Sequence, residues 1–350
     1  MSFISLVFEF ALEGKDESMN HSDIEKLKEF QAPVLEELGA LERSIEESLE
    51  CDIPLASDVC SYLKEGRGKR IRPTVLFLAA RSLGGSKDDL VTSGMAIELI
   101  HTATLIHDDI LDGHDFRRNR PTVYARWGTK TATIIGDFLY TKAFSSLADA
   151  RLFEVMDILA KVTNTICVGE ILQLEQRNNL DLNEQNYIDI ISKKTASLFS
   201  ASCECGAVLA GEKNGNREIY SDFGMNIGLA FQITDDIFDY IADEEAIGKP
   251  VGSDFSDGRF TLPFIKAFVN APNAAQKKIE ELVGVDQRRQ SKWPEIVSFV
   301  KDYGGVEYSI EMARGFGTRA KGFLSRIKPS LERDALAMAA DYIVERVNGF

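Results

Sequence analysis

Two segments of the chain repeat one arrangement of aspartates, DDxxD, each time directly after an apolar run. They contain Asp108, Asp109 and Asp112 in the first copy and Asp235, Asp236 and Asp239 in the second. On a helix with 3.6 residues per turn, side chains four positions apart share a face, so each copy directs two carboxylates at one volume. At an effective dielectric constant near 20, two carboxylates about 6 Å apart repel each other by roughly 3 kcal/mol. The two copies therefore predict a bound cation between them.

The donor type indicates which cation this would be. Carboxylate oxygens select hard cations, and a few carboxylates completed by water and substrate phosphates suit Mg²⁺. A single DDxxD at a solvated helix end would need no ligand. Two copies, each followed by basic residues, favour the metal site over that alternative.

Basic residues recur beside these motifs although acids outnumber bases in the chain, 55 to 40. They are Lys69, Arg70 and Arg72 after a glycine loop, Arg117 and Arg118 after the first aspartates, Lys194 next to Thr195, and Lys249 and Arg259 after the second aspartates. Arginine can contact a phosphate through two donors at once. The acids and bases together predict a site for a phosphorylated small molecule.

Composition limits the class of protein. A chain of 350 residues with 44% apolar and 27% charged residues is typical of globular proteins, and its net charge of −15 argues against nucleic acid as a partner. The five cysteines form no CxxC pair, which favours a reducing cytoplasm. No uncharged apolar stretch reaches the length of a membrane span. Residues 1–18 lack a basic start and are expected to be an extension with little structure.

The segments that carry these residues have apolar positions spaced mainly as in helices, and the alternating pattern of strands is scarce. The pattern predicts one all-α domain over residues 19–350, with a polar, Gly-rich loop at 243–260 and about five shorter helices after it. The longer helices are predicted at 22–50, 56–64, 74–83, 88–112, 131–148, 151–178, 184–210 and 216–242.

The two histidines next to the first aspartates allow other interpretations. Glu98 and His101 form the ExxH pair of di-iron bundles, but no other histidine has a glutamate three positions earlier, which argues against that class. His107 is interpreted either as a histidine that supports the carboxylates or as an ordinary hydrogen-bonded helix residue.

Six motifs together resemble the trans-isoprenyl diphosphate synthase (polyprenyl synthetase) family, most closely its medium- and long-chain, octaprenyl-type members. They are GKxxRP at 68–73, HxxxLxHDDxxD at 101–112 followed by RR, GExxQ at 169–173, KTA at 194–196, FQxxDDxxD at 231–239, and GKxxGxD at 248–254 followed by TLP at 261–263. The motifs follow the family's order from about residue 60 to 265. The resemblance implies the all-α isoprenoid synthase fold, a helical bundle around an apolar cavity, and a homodimer.

The resemblance also implies roles for single residues. The six aspartates would bind Mg²⁺, three ions with substrate present, with Asp108, Asp112 and Asp235 as the main ligands. Arg117, Lys194 and Lys249 would hold the allylic diphosphate, with Arg259 as a further cation. Lys69, Arg72, His101 and Arg118 would hold isopentenyl diphosphate. Thr195 and Gln232 would direct oxygen dipoles at the allylic cation.

Two positions depart from the family's usual pattern. Asn119 stands where the family often has glycine, and Arg259 stands where it commonly has lysine. Both changes keep adequate polarity or charge, so they affect the residue assignments more than the implied function.

The product length depends on the helix above the first aspartates. Ala103 and Thr104 are small where short-chain members tend to carry aromatic plugs, so an open tunnel and a medium or long all-trans product for a quinone side chain are expected. The alternatives are a farnesyl- or geranylgeranyl-length product, a class I terpene cyclase, and a non-catalytic partner subunit. A cyclase usually lacks the second DDxxD, and partner subunits tend to lose their aspartates.

Overall fold

The computed structural model of the chain describes residues 21–66, 68–85, 88–212, 215–241, 252–283 and 292–347. These residues form sixteen α-helices, a 3₁₀ turn, a π-helical turn and one two-stranded hairpin. In chain order they are α1 His21–Gln31, the 3₁₀ turn Ala32–Val34, α2 Leu35–Ser48, α3 Pro54–Glu65, α4 Ile71–Ser82, α5 Asp88–Leu111, β1 Phe116–Arg117, β2 Arg120–Pro121, α6 Val123–Asp149, α7 Phe153–Glu175, α8 Glu184–Ile191, the π-turn Ser192–Ala196, α9 Ser197–Leu209, α10 Asn216–Ile241, α11 Ser253–Ser256, α12 Leu262–Asn270, α13 Asn273–Val283, α14 Trp293–Asp302, α15 Gly305–Leu324 and α16 Leu331–Glu345.

The prediction of an all-α protein is confirmed, and most differences in helix limits have local causes. The predicted helix 22–50 is divided at Ala32–Val34, where Pro33 lacks the amide hydrogen that a continuous helix needs. Helix α6 begins at Val123, where the Thr122 side chain accepts a hydrogen bond from the Ala125 amide and caps it. Gly128 interrupts this helix with non-helical angles (φ 79°, ψ 166°), so the predicted helix 131–148 corresponds to the part after the break. The predicted extension 1–18 lies outside the described residues.

Helix α10 is at the centre of the fold and packs against α9, α15 and the π-turn. Large side chains such as Phe199, Tyr220 and Phe223 are fully buried along this contact. Gly224 allows the two helices to approach, since a Cβ atom there would lie 2.5 Å from the Phe199 carbonyl oxygen. The second DDxxD is thus carried on a helix that its neighbours hold firmly in place.

A second group of helices completes the walls of a central hollow. Helix α5, which carries the first DDxxD, packs along α6 and also contacts α2 and α4. The hollow measures about 670 Å³, and both polar and apolar side chains line it. None of the described helices combines the length and apolar character needed to cross a lipid bilayer.

The end of the predicted loop 243–260 is described from residue 252 onward. Gly252 has a positive φ of 73°, and a Cβ atom there would lie 2.4 Å from the Trp293 ring. Phe255 is buried against Phe260, Phe264 and Trp293. This aromatic packing fixes the short helix α11 and, beyond it, the segment that carries Arg259.

Candidate active site

The central hollow collects most of the residues that the sequence singled out. Its walls include Lys69, Arg72, His101, Thr104, Asp108, Asp109, Asp112, Arg117, Arg118, Lys194, Thr195, Gln232, Asp235, Asp236 and Arg259. These residues come from α4 and the loop before it, α5 and the residue after it, the hairpin, the π-turn, α10 and the segment after α11. Residues that are up to 190 positions apart in sequence therefore face one cavity.

The first aspartate cluster lies among cationic side chains. Asp109 accepts a hydrogen bond from Arg117 at 2.9 Å, and Asp108 lies 3.7 Å from the Lys194 ammonium group. Asp112 pairs with two guanidinium groups at one oxygen, Oδ1, which lies 2.6 Å from Arg177 Nη2 and 2.5 Å from Arg259 Nη1. Side-chain cations thus neutralise much of the negative charge on this cluster.

Asp108 is the member whose charge is least compensated. Burial raises the pKa of its carboxyl to about 6, and the neighbouring Lys194 opposes that shift without cancelling it. A buried carboxylate in this state favours a cation next to it. The oxygen-only donors of the two clusters therefore fit a hard divalent metal.

The metal ligands are not assembled in advance. Among the described residues, no three His, Cys, Asp or Glu side chains are arranged to hold a metal ion by themselves. A hard metal such as Mg²⁺ often keeps several waters and is bound by one or two carboxylates together with substrate phosphates. The arrangement therefore suits a metal that arrives with a phosphorylated ligand.

The second aspartate cluster has different partners. Asp235 pairs with Arg346 at 3.0 Å. Asp236 accepts hydrogen bonds from the Tyr187 hydroxyl at 2.6 Å and from the Gln232 amide at 2.8 Å. Burial, and then the nearby Asp254 carboxylate, raise the pKa of Asp236 to about 8. Asp239 does not line the hollow; it is buried behind it and accepts a hydrogen bond from the Asp254 amide at 3.4 Å.

Lys194 and Thr195 lie on the π-turn between α8 and α9. This turn fits between two glycines, since a Cβ atom on Gly169 would lie 2.6 Å from the Lys194 amide nitrogen and one on Gly228 would lie 2.5 Å from Ala196 Cα. Short π-helical turns are frequent at functional sites. The close approach of α7 and α10 thus positions both side chains in the hollow.

The two side chains of the π-turn have distinct partners. The Lys194 ammonium donates to Gln173 Oε1 at 2.7 Å and pairs with Glu170. The Thr195 hydroxyl donates to Gln232 Oε1 at 2.8 Å. Lys194 thereby presents positive charge to the cavity, while Thr195 and Gln232 present a chain of oxygen dipoles.

A basic corner forms where α4 meets α5. Arg72 Nη1 donates to His101 Nε2 at 3.1 Å, and the Arg72 guanidinium lies 4.4 Å from the centre of the Phe199 ring. Burial, then the positive charge of Arg72 and the neighbouring arginines, keep the pKa of His101 well below its usual value, so the ring is neutral at pH 7. Burial also lowers the pKa of Arg72 to about 10, which leaves it charged. His101 therefore orients Arg72 without adding charge.

The hairpin brings Arg117 and Arg118 to the same cavity. Its two central residues, Arg118 and Asn119, have positive φ angles of 51° and 58°. Asparagine tolerates this conformation better than most residues, so Asn119 can replace the glycine that the motif resemblance would favour.

Several predicted positions lie elsewhere. Ala103 is fully buried and is not among the residues that line the hollow, whereas Thr104, the other small residue expected at the tunnel, lines it. Five helical positions turn the chain by about 500°, which directs Ala103 away from Asp108, whereas Thr104 is four positions away and shares its face. His107 faces α6, with Nε2 3.2 Å from the Thr133 carbonyl oxygen, rather than the carboxylates. Lys249 lies outside the described residues.

Glu98 has a structural partner. It accepts a hydrogen bond from Arg70 Nη1 at 2.7 Å, and Arg70 also pairs with Glu42 at 2.6 Å. Glu98 is thus part of a buried ion-pair network between α2, α4 and α5, which argues further against the di-iron alternative.

Glu170, Arg177, Tyr187 and Arg346 are among the residues that contact the predicted site directly but were not predicted from the sequence. Glu170 lies within the GExxQ motif and could have been chosen as the partner of a lysine. Tyr187, Arg177 and Arg346 belong to no motif quoted above. Their contacts arise from tertiary packing, which spacing along the chain does not reveal.

Comparison with known proteins agrees with this geometry. The family model described as polyprenyl synthetase matches residues 53–300. The octaprenyl diphosphate synthase of Haemophilus influenzae is 32% identical over 328 residues, which cover 94% of this chain and 99% of that protein. The short chain isoprenyl diphosphate synthase of Methanothermobacter thermautotrophicus is 38% identical over 291 residues, covering 81% of this chain and 88% of that protein.

Solved structures give the same result. The polyprenyl synthase from Caulobacter crescentus, crystallised with calcium and isoprenyl diphosphate, matches with a TM-score of 0.88 at 32% identity, covering 91% of this chain and 98% of that one. The geranylgeranyl pyrophosphate synthetase from Pyrococcus horikoshii matches with a TM-score of 0.82 at 34% identity, covering 91% and 99% of the two chains. In sequence and in fold, the chain therefore belongs to the polyprenyl synthetase family.

Proposed function

We propose that the protein is a Mg²⁺-dependent prenyltransferase that condenses an allylic prenyl diphosphate with isopentenyl diphosphate to make an all-trans polyprenyl diphosphate. One observation carries the proposal. Asp108 and Asp235, from the two DDxxD motifs, line the same hollow as the basic corner of Arg72 and His101. One cavity thus offers an acidic region for a metal-bound diphosphate and a basic region for a second diphosphate.

The allylic diphosphate would lie between the two aspartate clusters. Asp108, Asp112 and Asp235, supported by Asp109, Asp236 and Asp239, would hold the metal, which when bound stabilises negative charge on the leaving group. Lys194 and Arg117 would contact the same diphosphate through charged donors, with Arg259 and Lys249 as further cations. Donors fixed before the reaction stabilise charge that develops as the allylic C–O bond breaks.

Isopentenyl diphosphate would bind at the basic corner. Arg72, Lys69 and Arg118 would contact its phosphates, and the neutral His101 would keep Arg72 in position. This places the alkene of the second substrate near the allylic carbon, and orientation of this kind removes much of the entropic cost of a two-substrate reaction. Thr195 and Gln232 would direct their oxygens at the cation. The released diphosphate would take the final proton.

The apolar part of the hollow favours a medium or long product. Thr104, one helical turn from Asp108, lines it together with Leu139, Ile166 and Leu198, and Thr104 leaves room where an aromatic side chain would close the wall. Relatives named as octaprenyl diphosphate synthases support an octaprenyl-type product, whereas those named as geranylgeranyl diphosphate synthases favour a shorter one. The side chains of the wall support the longer product.

A homodimer fits the outer surface of α6 and α7. Ile134 on α6 and Ile171 on α7 are 65% and 64% exposed, and Val168 and Leu174 extend the apolar face of α7. A second copy would cover this face. Ile171→Glu is expected to shift the protein to monomer in sedimentation velocity, whereas Val269→Glu, which changes an equally exposed valine on α12, should leave the assembly unchanged.

The decisive experiment measures turnover of labelled isopentenyl diphosphate with allylic primers of increasing length. Wild-type protein should elongate the primer in the presence of Mg²⁺ and stop after complete chelation. Asp108→Asn and Asp235→Asn should each lower kcat by at least a hundredfold, and the exposed Asp157→Asn should have no effect. Hydrocarbon formation from the allylic diphosphate alone would indicate a terpene cyclase instead.

A further inference from the structure

Asp112 differs from the other aspartates of the site because two arginines share one of its oxygens. Arg177 Nη2 and Arg259 Nη1 lie 2.6 Å and 2.5 Å from Asp112 Oδ1, and the carboxylate is only 7% exposed. Two positive charges therefore surround one negative charge in a confined space. A metal ion approaching the same carboxylate would meet strong repulsion unless one guanidinium moved away.

The two arginines are held differently. Arg259 also pairs with Asp254 at 2.8 Å and Asp257 at 2.9 Å, and its side chain is 9% exposed. Burial lowers the pKa of its guanidinium, but Asp254, Asp112 and Asp257 together raise it more strongly. Arg259 is thus fixed by three carboxylates and would remain in place when Asp112 takes another partner.

Arg177 has fewer constraints. Its side chain is 28% exposed, and its Nε atom is buried without a hydrogen-bond partner among the described residues. Its backbone, however, is fixed, because the Asn178 amide donates to the Gly258 carbonyl at 2.8 Å and joins the end of α7 to the turn before Arg259. The Arg177 side chain can therefore move away from Asp112 while the backbone that carries it stays in place.

We infer that Arg177 is a built-in counter-ion of Asp112 that competes with the metal for this carboxylate. The inference rests on the proposed function, because it assumes that Asp112 is a metal ligand. Arg177 would then be a positioning residue that keeps a buried acid neutralised before substrate binds and sets the metal concentration at which the site fills.

The test is Mn²⁺ binding to the full-length protein in the absence of substrate, followed by electron paramagnetic resonance. Arg177→Gln should raise the Mn²⁺ affinity at least threefold, and Arg177→Lys, which keeps the charge, should return it close to that of the wild type. Arg217→Gln is the matched control, because it removes an arginine paired with Glu204 at 2.6 Å and Glu154 at 2.8 Å outside the hollow. That control should bind Mn²⁺ like the wild type.

Thermal unfolding provides a second readout that does not depend on turnover. Without metal, Arg177→Gln should melt at a lower temperature than wild type because Asp112 loses a counter-ion, and added Mn²⁺ should stabilise the variant more than the wild type. Equal Mn²⁺ affinity in folded Arg177→Gln and wild type would overturn the inference. The proposed function would still stand in that case if wild-type turnover requires Mg²⁺, and it would fall if turnover survives chelation.

Discussion

The Tyr187 hydroxyl donates a 2.6 Å hydrogen bond to Asp236 Oδ2 across the buried contact between α8 and α10. The other oxygen of this carboxylate accepts from the Gln232 amide, and Gln232 in turn accepts from the Thr195 hydroxyl. Tyr187, which itself lines the hollow, is thus connected through three hydrogen bonds to the oxygens proposed to face the allylic cation. The role of the Tyr187 hydroxyl would be to fix the direction of the Thr195 and Gln232 oxygens.

Removing this hydroxyl should affect the chemical step more than substrate binding. In Tyr187→Phe the loss of a hydrogen bond to a carboxyl group lets Gln232 and Thr195 rotate, and we expect kcat to fall about tenfold, which corresponds to roughly 1.4 kcal/mol. Steady-state kinetics should show KM for both substrates within twofold of wild type. Tyr308→Phe is the control, because Tyr308 donates to Glu184 at 2.7 Å on the same helix α8 and lies outside the cavity wall.

The glycine behind Lys194 should tolerate no side chain. A Cβ atom on Gly169 would lie 2.6 Å from the Lys194 amide nitrogen, so Gly169→Ala must push the π-turn out of position. We expect at least a tenfold loss of kcat and a fall of about 1–3 kcal/mol in the free energy of unfolding in urea. Gly315→Ala, in a helical position where a Cβ atom meets nothing within 4 Å, should keep full activity and be as stable as wild type or more so.

Product length should respond to Thr104 rather than to Ala103. Thr104→Tyr adds a ring to the wall one turn above Asp108, and since one turn of 5.4 Å approximates one extended isoprene unit, chromatography should detect shorter products. Ala103→Tyr would instead force a ring into the packed core and lower stability by about 1–3 kcal/mol. An unchanged product distribution in folded Thr104→Tyr would contradict this position for the tunnel.

Acid should destabilise the protein partly through His101. The unfolded chain binds a proton at this residue below its ordinary pKa of about 6.5, while burial and Arg72 keep the folded residue neutral. Stability from this group is therefore present above pH 6.5 and decreases as the pH falls, by about 1.4 kcal/mol at pH 5.5. Urea unfolding of wild type and His101→Gln at pH 7.5 and 5.5 should show that the variant loses less stability by about this amount.

The sequence was sufficient to predict those parts of the site in which residues follow regular helical spacing along the chain. Asp108 and Asp112 are four residues apart, as are Asp235 and Asp239, and both members of the first pair line the hollow. The same spacing did not place Asp239, which lies one turn beyond Asp235 and is buried outside the cavity wall, because spacing along one helix does not show where the cavity ends. Spacing also did not show that Ala103 is fully buried while its neighbour Thr104 lines the hollow.

Contacts that depend on tertiary packing were not predictable. Arg346 reaches Asp235 from the end of α16, 111 positions away. Arg177 approaches Asp112 because the corner after α7 is hydrogen-bonded to the turn at Gly258. Neither residue belongs to a motif, and an isolated arginine in an acidic chain is normally a solvated surface residue.

The hairpin places Arg118 in the left-handed region, where a non-glycine residue costs on the order of 1 kcal/mol. A glycine at this position would relieve that conformational cost and give a more stable but less basic turn. Arg118→Gly should therefore make the protein harder to unfold. The same change should lower its affinity for the anion that the Arg118 guanidinium is proposed to contact.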